Sequence, residues 1–318
     1  LIELGSNAAR LLLADVVMGN GYRVMCHKRV QTRLASGPEG RLSGQAIRDT
    51  LAAVRRFLRS LPAGNGMTSL AVATAAVRDA ENRAELLSPL IHKYGLNVVV
   101  LSPHDEACLG ALAALHNLPV RDGVIFDLGG GSLQLARIRD GQVDETASVP
   151  IGAVRMTDRF LRDDPPSQGE LAALRAEIAA RMSQAIPAPP GDGSLVGLGG
   201  TVRALASLRL ATRADEATRH GLVLHQSEIA AIRARLAGLP LRERQRVPGL
   251  RPERADIIVA GTVVVEELLR ATGYSALTVS TFGVRDGFLI RRTFPGTWPL
   301  RIRPVRKADA MAPAQSAA

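Results

Sequence analysis

Lysine is almost missing from this chain. Of its 40 basic residues only Lys28, Lys93 and Lys307 are Lys, so Arg carries nearly all of the +10 formal charge. Such a charge attracts polyanions. No dense basic run occurs before the C-terminal segment, however, and a bias toward Arg codons would spread the same residues over a surface. Aromatic residues make up 3%. Cores therefore rest on Leu, Val, Ile and Ala, and base-stacking platforms for single-stranded nucleic acid are excluded. The two cysteines, Cys26 and Cys108, lie far apart with no CxxC spacing. This excludes a disulfide or zinc framework and points to a reducing cytoplasm. No apolar run approaches the roughly 20 residues of a membrane span, and no signal peptide is evident. His27, His92, His104, His116, His220 and His225 show no metal-ligand spacing. No GxxxxGK[ST] loop is present. Gly197-Leu198-Gly199-Gly200-Thr201-Val202 only partly mimics GxGxxG, because Val202 takes the third glycine's place. A glycine turn that packs a helix on a sheet, or a third phosphate-facing loop, explains it better than a dinucleotide site.

What is present is a pair of similar glycine turns about a hundred residues apart. The first is Leu1-Ile2-Glu3-Leu4-Gly5-Ser6-Asn7, and Arg10-Leu11-Leu12-Leu13 follows it. The second is Val124-Ile125-Phe126-Asp127-Leu128-Gly129-Gly130-Gly131-Ser132, and Leu133-Gln134-Leu135-Ala136 follows it. Each reads apolar strand, carboxylate, apolar residue, glycine, apolar strand. Glycine turns of this kind aim backbone N–H groups at an anion. Two of them in 318 residues, a length comfortable for two domains, imply half-domains facing one phosphate-bearing ligand across a cleft.

The periodicities predict strands over 1–17 and 22–30, joined by Gly19-Asn20-Gly21. Ser43 caps a helix with an Ile47, Leu51, Val54, Leu58 stripe. A strand Leu70–Ala73, a loop 74–79, a helix 81–94, a strand 97–101 and a helix 104–117 follow. Strands then restart over 123–128, 132–139 and 142–149, with helices over 152–162 and 168–185 and a Pro187–Gly191 loop. A strand 194–198, helices from Gly199, over 227–237 and over 253–271, a strand 276–280 and a helix from about 283 close the core. The reading is α/β, with mixed-sheet domains over 1–119 and 120–295. Residues 296–318, with Arg301, Arg303, Arg306 and Lys307, read as a mobile basic Pro/Ala-rich tail. The chain starts at Leu1 inside a strand pattern, so a short preceding stretch is expected.

Asp127 ends a buried strand before three glycines, where a carboxylate needs a cation or donors. It reads as a Mg²⁺ ligand beside phosphate oxygens, or as a cap on its own turn. Asp105 and Glu106 open a helix, where acids favour the dipole or, alternatively, one activates a water. The ordered motifs are Leu4-Gly5-Ser6-Asn7 with Arg10, Ala73 through Ala80 with Arg78, Ser102 through Asp105-Glu106-Ala107, Asp127 through Ser132, Pro150 through Arg155, Gly199 through Leu205, Arg254-Ala255-Asp256, and Ser280 with Val284-Arg285-Asp286-Gly287. In that order, across residues 1–292, the chain resembles the exopolyphosphatase and guanosine pentaphosphate phosphohydrolase family, of the actin, Hsp70 and sugar kinase superfold.

The resemblance implies two actin-like (ribonuclease H-like) domains, the last helix packing back on the first, in the short two-domain form. It implies Glu106 as general base and Asp127 as the carboxylate that organises metal and water. Gly129, Gly130, Gly131 and Ser132, together with Gly5, Ser6 and Asn7, become the phosphate loops. Arg78 and Arg254 line the phosphate path; without the resemblance both read as surface Arg. Mg²⁺ or another divalent cation is the implied cofactor, with Asp127 as ligand and Glu3 and Gln134 as further candidates. The implied partner is inorganic polyphosphate, or guanosine penta- or tetraphosphate, with no membrane, no specific nucleic acid and room for a homodimer. The chain departs from the pattern at Glu3 for Asp, at Ala8 for Ser, and at Gln134 for a Glu. Gln keeps an acceptor but loses the charge. This leaves open a weakly active binder of phosphate chains, and more distantly an ATP-dependent kinase.

Overall fold

Both halves of the chain build a sheet in the same strand order. The structure is a computed structural model that describes residues 1–37, 40–62, 67–185, 193–212, 216–296 and 305. It divides into two compact units, residues 1–106 with 288–318, and residues 107–287. The mixed α/β architecture is the one expected.

In the first unit β1 (Ile2–Leu4), β2 (Ala8–Val17) and β3 (Gly21–Gln31) precede α1 (Gly44–Arg59). After these come β4 (Leu70–Ala73), α2 (Ala75–Arg78), α3 (Ala84–Ser88), a π turn over Pro89–Lys93, β5 (Asn97–Val100) and α4 (Pro103–Asn117), which runs past the division at residue 106. The sheet order is β3-β2-β1-β4-β5. The first three strands pair antiparallel, while β4 and β5 run parallel to β1. The strand expected over 1–17 is thus broken by the glycine turn, since Gly5 N–H closes on Ala8 O at 3.2 Å. Ser43 caps α1 as expected, its Oγ accepting from Ala46 N. The buried stripe is slightly rotated from the predicted one: Ala46, Ile47, Thr50, Ala53, Val54 and Phe57 are buried, and Leu51 and Leu58 are only half-buried. The stretch read as a loop over 74–79 contains a helical turn, α2, which follows Thr74.

In the second unit β6 (Gly123–Leu128), β7 (Leu133–Arg139), β8 (Gln142–Val149), β9 (Ser194–Leu198), β10 (Val223–His225) and β11 (Ala276–Val279) form a sheet of order β10-β11-β9-β6-β7-β8. Again an antiparallel meander, β6 to β8, is extended by strands parallel to its first member, β9 and β11. The unit's helices are α5 (Ala153–Phe160), α6 (Gln168–Met182), α7 (Gly199–Arg209), α8 (Glu216–Arg219), α9 (Gln226–Ala237), α10 (Leu241–Arg244) and α11 (Ile258–Thr272), and α12 (Val284–Thr293) starts here and runs past the division at residue 287. α11 is buried along almost its whole length, so it is apolar on nearly every face. Its two buried acids, Glu266 and Glu267, are held by Arg175 at 2.8 and 3.0 Å, with Arg233 and Arg270 as further partners.

The Pro187–Gly191 loop lies outside the described residues. So does the expected tail, except Gly296 and Val305; the Val305 N–H donates to Val98 O.

Candidate active site

Within each unit most of the predicted site residues lie at the C-terminal ends of parallel strands, where open α/β sheets place their ligands. In the first unit β1 runs into Gly5-Ser6-Asn7, β4 into α2 with Arg78, and β5 into the first turn of α4 with Glu106. In the second unit β6 runs into Gly129–Ser132, β9 into Gly199-Gly200-Thr201, and β11 into Thr281–Gly283. Topology and sequence motif therefore select the same loops independently.

The first unit brings Glu106 and Arg78 together. Arg78 Nη1 donates to Glu106 Oε2 at 2.9 Å and to Leu101 O at 3.3 Å, and its Nε donates to Asp79. The two side chains are 12% and 15% exposed, so the pair is largely screened from water. Ser102 Oγ accepts from Asp105 N and donates to the Asp105 carboxylate, which fixes the start of α4. Glu3 pairs across the sheet with Arg10, Oε1 to Nη1 at 2.8 Å. In the first turn, Ser6 O accepts from Ala35 N and Asn7 O accepts from Thr32 N and Arg33 N. The Ser6 and Asn7 carbonyls are thus committed to the turn's own unit. Ser6 and Asn7 are both buried.

The second unit assembles the rest. Asp127 is half-buried on β6, directly opposite Gln134 on β7 and beside Leu198 on β9. Glycines wall its carboxylate. Gly199 sits at φ +95°, and a Cβ there would come 2.7 Å from Asp127 Oδ1. One on Gly283 would come 4.0 Å from Oδ2, and one on Gly110 3.9 Å from the Asp127 Cβ. The triple-glycine loop has all its carbonyls occupied. Gly129 O accepts from Ala153 N, Gly130 O from Val154 N and Arg155 N, and Gly131 O from Arg155 Nε. These bonds satisfy the free N–H groups at the start of α5. The Gly129 N–H closes the turn on Ser132 O at 3.0 Å, while among the described residues no acceptor takes the N–H of Gly130 or Gly131. Gly152 is needed because a Cβ would strike the backbone of Gly130 and Gly131. Arg254 lies over the start of α7, its guanidinium where a Cβ of Gly200 would stand. Gln134 is buried, donates from Nε2 to Ser132 Oγ at 2.9 Å, and leaves Oε1 with no partner among the described residues.

Sequence reasoning did not find Gly152 or Arg155 as supports of the loop, nor the seat of Arg254 on Gly200. The Pro150–Arg155 motif was the available signal. Among the described residues no cluster of three or more His, Cys, Asp or Glu side chains could hold a metal. A half-buried carboxylate opposite a buried, unpartnered amide oxygen still fits a hard cation that takes its remaining ligands from phosphate and water.

Residues 13–293 match the family model described as the Ppx/GppA phosphatase family. The chain belongs to this family. It is accordingly a hydrolase. Exopolyphosphatase 2 of Mycobacterium tuberculosis is 31% identical over 310 residues, covering 91% of this chain and 96% of that protein. Exopolyphosphatase 1 of the same organism is 28% identical over 299 residues, covering 92% and 87%. Among solved structures, the Aquifex aeolicus member of the Ppx/GppA family superposes with a TM-score of 0.77 at 28% identity, over 92% of this chain and 95% of that one. An exopolyphosphatase from Cytophaga hutchinsonii shares the fold, with a TM-score of 0.80 at 22% identity, over 92% of this chain and 96% of that one.

Proposed function

We propose that this phosphatase releases terminal orthophosphate from inorganic polyphosphate by attack of water. The observation that carries the reading is the triple-glycine turn, whose carbonyls are spent on α5 while the N–H groups of Gly130 and Gly131 have no acceptor among the described residues. The names of the two mycobacterial relatives favour polyphosphate as that anion.

Phosphoryl transfer depends on positioning and charge neutralisation. In this reading Gly129, Gly130, Gly131 and Ser132 hold phosphate oxygens, as Gly5, Ser6 and Asn7 do in the first unit. Arg254 and Arg78 neutralise charge along the chain. Glu106, oriented by Arg78, accepts a proton from the attacking water. A Mg²⁺ ion held by Asp127 and Gln134 Oε1 would supply further charge neutralisation at the phosphate oxygens. Glu3, the remaining candidate ligand, has its Oε1 engaged by Arg10.

Phosphate release from long-chain polyphosphate, followed across a range of Mg²⁺ concentrations, tests the reading. Glu106→Gln should lower the rate by about 100-fold or more, the usual scale of general-base catalysis. No release by the wild-type protein overturns it. Guanosine pentaphosphate, the second substrate implied by the family, is assayed alongside, and the ratio of turnover rates decides between the two.

A further inference from the structure

Gln134 also sets which way the hydroxyl of Ser132 can act. Ser132 directly precedes β7 and Gln134 is the second residue of that strand, facing Asp127 on β6 and Ser148 on β8. Both side chains are buried, at 2% and 6% exposure. The Gln134 amide N–H is a donor only, so Ser132 Oγ accepts it and uses a lone pair in doing so. The hydroxyl proton of Ser132 is left to point elsewhere, and no acceptor for it exists among the described residues. With a glutamate in place of Gln134 the polarity reverses. A carboxylate only accepts, so the Ser132 proton turns back toward it and the loop is offered lone pairs instead.

We propose that Gln134 fixes Ser132 as a hydrogen-bond donor, converting the second glycine turn into an all-donor cradle that retains anionic phosphate more tightly than its glutamate counterpart. Gln134 acts through Ser132 and is a positioning residue. The inference rests on the reading that this turn holds phosphate. Its consequence is a trade. A donor hydroxyl strengthens the hold on substrate and on released orthophosphate, while only one of the two lone pairs on Ser132 Oγ is left to accept a hydrogen bond from water. The neutral amide also spares Asp127 a second carboxylate directly across the strand pair, where like charges repel.

The test is calorimetric titration of the whole protein with inorganic orthophosphate, without substrate, on wild type, Ser132→Ala, Gln134→Glu and the double variant. Thermal melts of each confirm folding. A charged hydrogen bond lost from the cradle should weaken phosphate binding about tenfold in Ser132→Ala. In the Gln134→Glu background the same Ser132→Ala change should cost almost nothing, because the hydroxyl is already turned away. Equal costs in both backgrounds would mean that Gln134→Glu acts by charge repulsion alone, and would overturn the proposal. So would an unchanged affinity in Ser132→Ala, a result that stands even if Gln134→Glu fails to fold. Coupled phosphate binding without polyphosphate hydrolysis would sustain this inference and defeat only the proposed reaction. Hydrolysis without the coupling would do the reverse.

Discussion

At the scale of single residues, the glycines around the site differ in what they keep clear, and substitution separates them. A Cβ on Gly200 meets only the end of the Arg254 side chain, which can swing away. Gly200→Ala should therefore fold normally and move the guanidinium. If Arg254 neutralises substrate charge, the KM for polyphosphate rises by about tenfold, the effect of one lost charged contact, with little change in Tm. A Cβ on Gly152 meets the backbone of Gly130 and Gly131 instead, which has no such freedom. Gly152→Ala should distort the phosphate loop itself and lower kcat. Steady-state kinetics on the two variants, read beside their melting curves, checks the contrast. The sequence showed Gly129, Gly130 and Gly131 as a loop because they are contiguous. It could not show why Gly152 or Gly200 is glycine, since each answers to a group more than 20 residues away. The same holds for Gln134, whose departure from the family pattern is legible but whose bond to Ser132 is a matter of geometry.

At the scale of elements, α6 shows how one side chain fixes a helix and the turn before it. Ser167 caps the helix, and Glu170 returns the bond in a capping box. Glu170 also accepts the N–H groups of Arg162 and Asp163, at 2.6 and 3.1 Å. Burial opposes its ionisation, but the N–H groups of Arg162, Ser167 and Asp163 and the Ser167 hydroxyl outweigh it and bring its pKa down to about 2. A depressed carboxylate pKa stabilises the fold above the unfolded value and is lost as pH falls through the folded one. Glu170→Gln should thus cost stability at neutral pH, on the order of 1 kcal/mol as for other helix caps. The difference from wild type should shrink between about pH 4.5, the unfolded value, and about pH 2. Thermal melts across that window measure it, and a gap independent of pH would show that the carboxylate charge is not what matters. Elements such as α1, α4, β6 and β7 were legible because a cap, a periodicity or a turn residue marks them. α2 and β10 were not, being only four and three residues long and fixed by what they pack against. The buried Glu266 and Glu267 on α11 were likewise invisible, because their Arg partners come partly from α6 and α9.

At the scale of the whole molecule, the charge is unevenly shared. Residues 1–106 and 288–318 hold 19 basic and 10 acidic residues, against 21 and 20 in residues 107–287. Nearly all of the +10 therefore belongs to the first unit. A bias toward Arg codons would account for Arg over Lys, but it would not by itself place the excess in one unit. Among exposed positions there, Arg55, Arg56 and Arg59 lie along α1, with no acid partner among the described residues. A polyanion longer than the site would be drawn by this field, and a short one much less, because exposed charges act over about 8–10 Å at ordinary ionic strength. Raising salt from about 50 to about 200 mM should then increase the KM for long-chain polyphosphate several-fold while moving that for tripolyphosphate less. Charge-neutralising substitutions at exposed Arg of the first unit should flatten the long-chain response more than an equal number in the second. Equal salt slopes for both chain lengths would reduce the basic excess to a property of the surface with no part in drawing in substrate. Steeper dependence for the long chain would tie the imbalance between the units to the length of the molecule being cut.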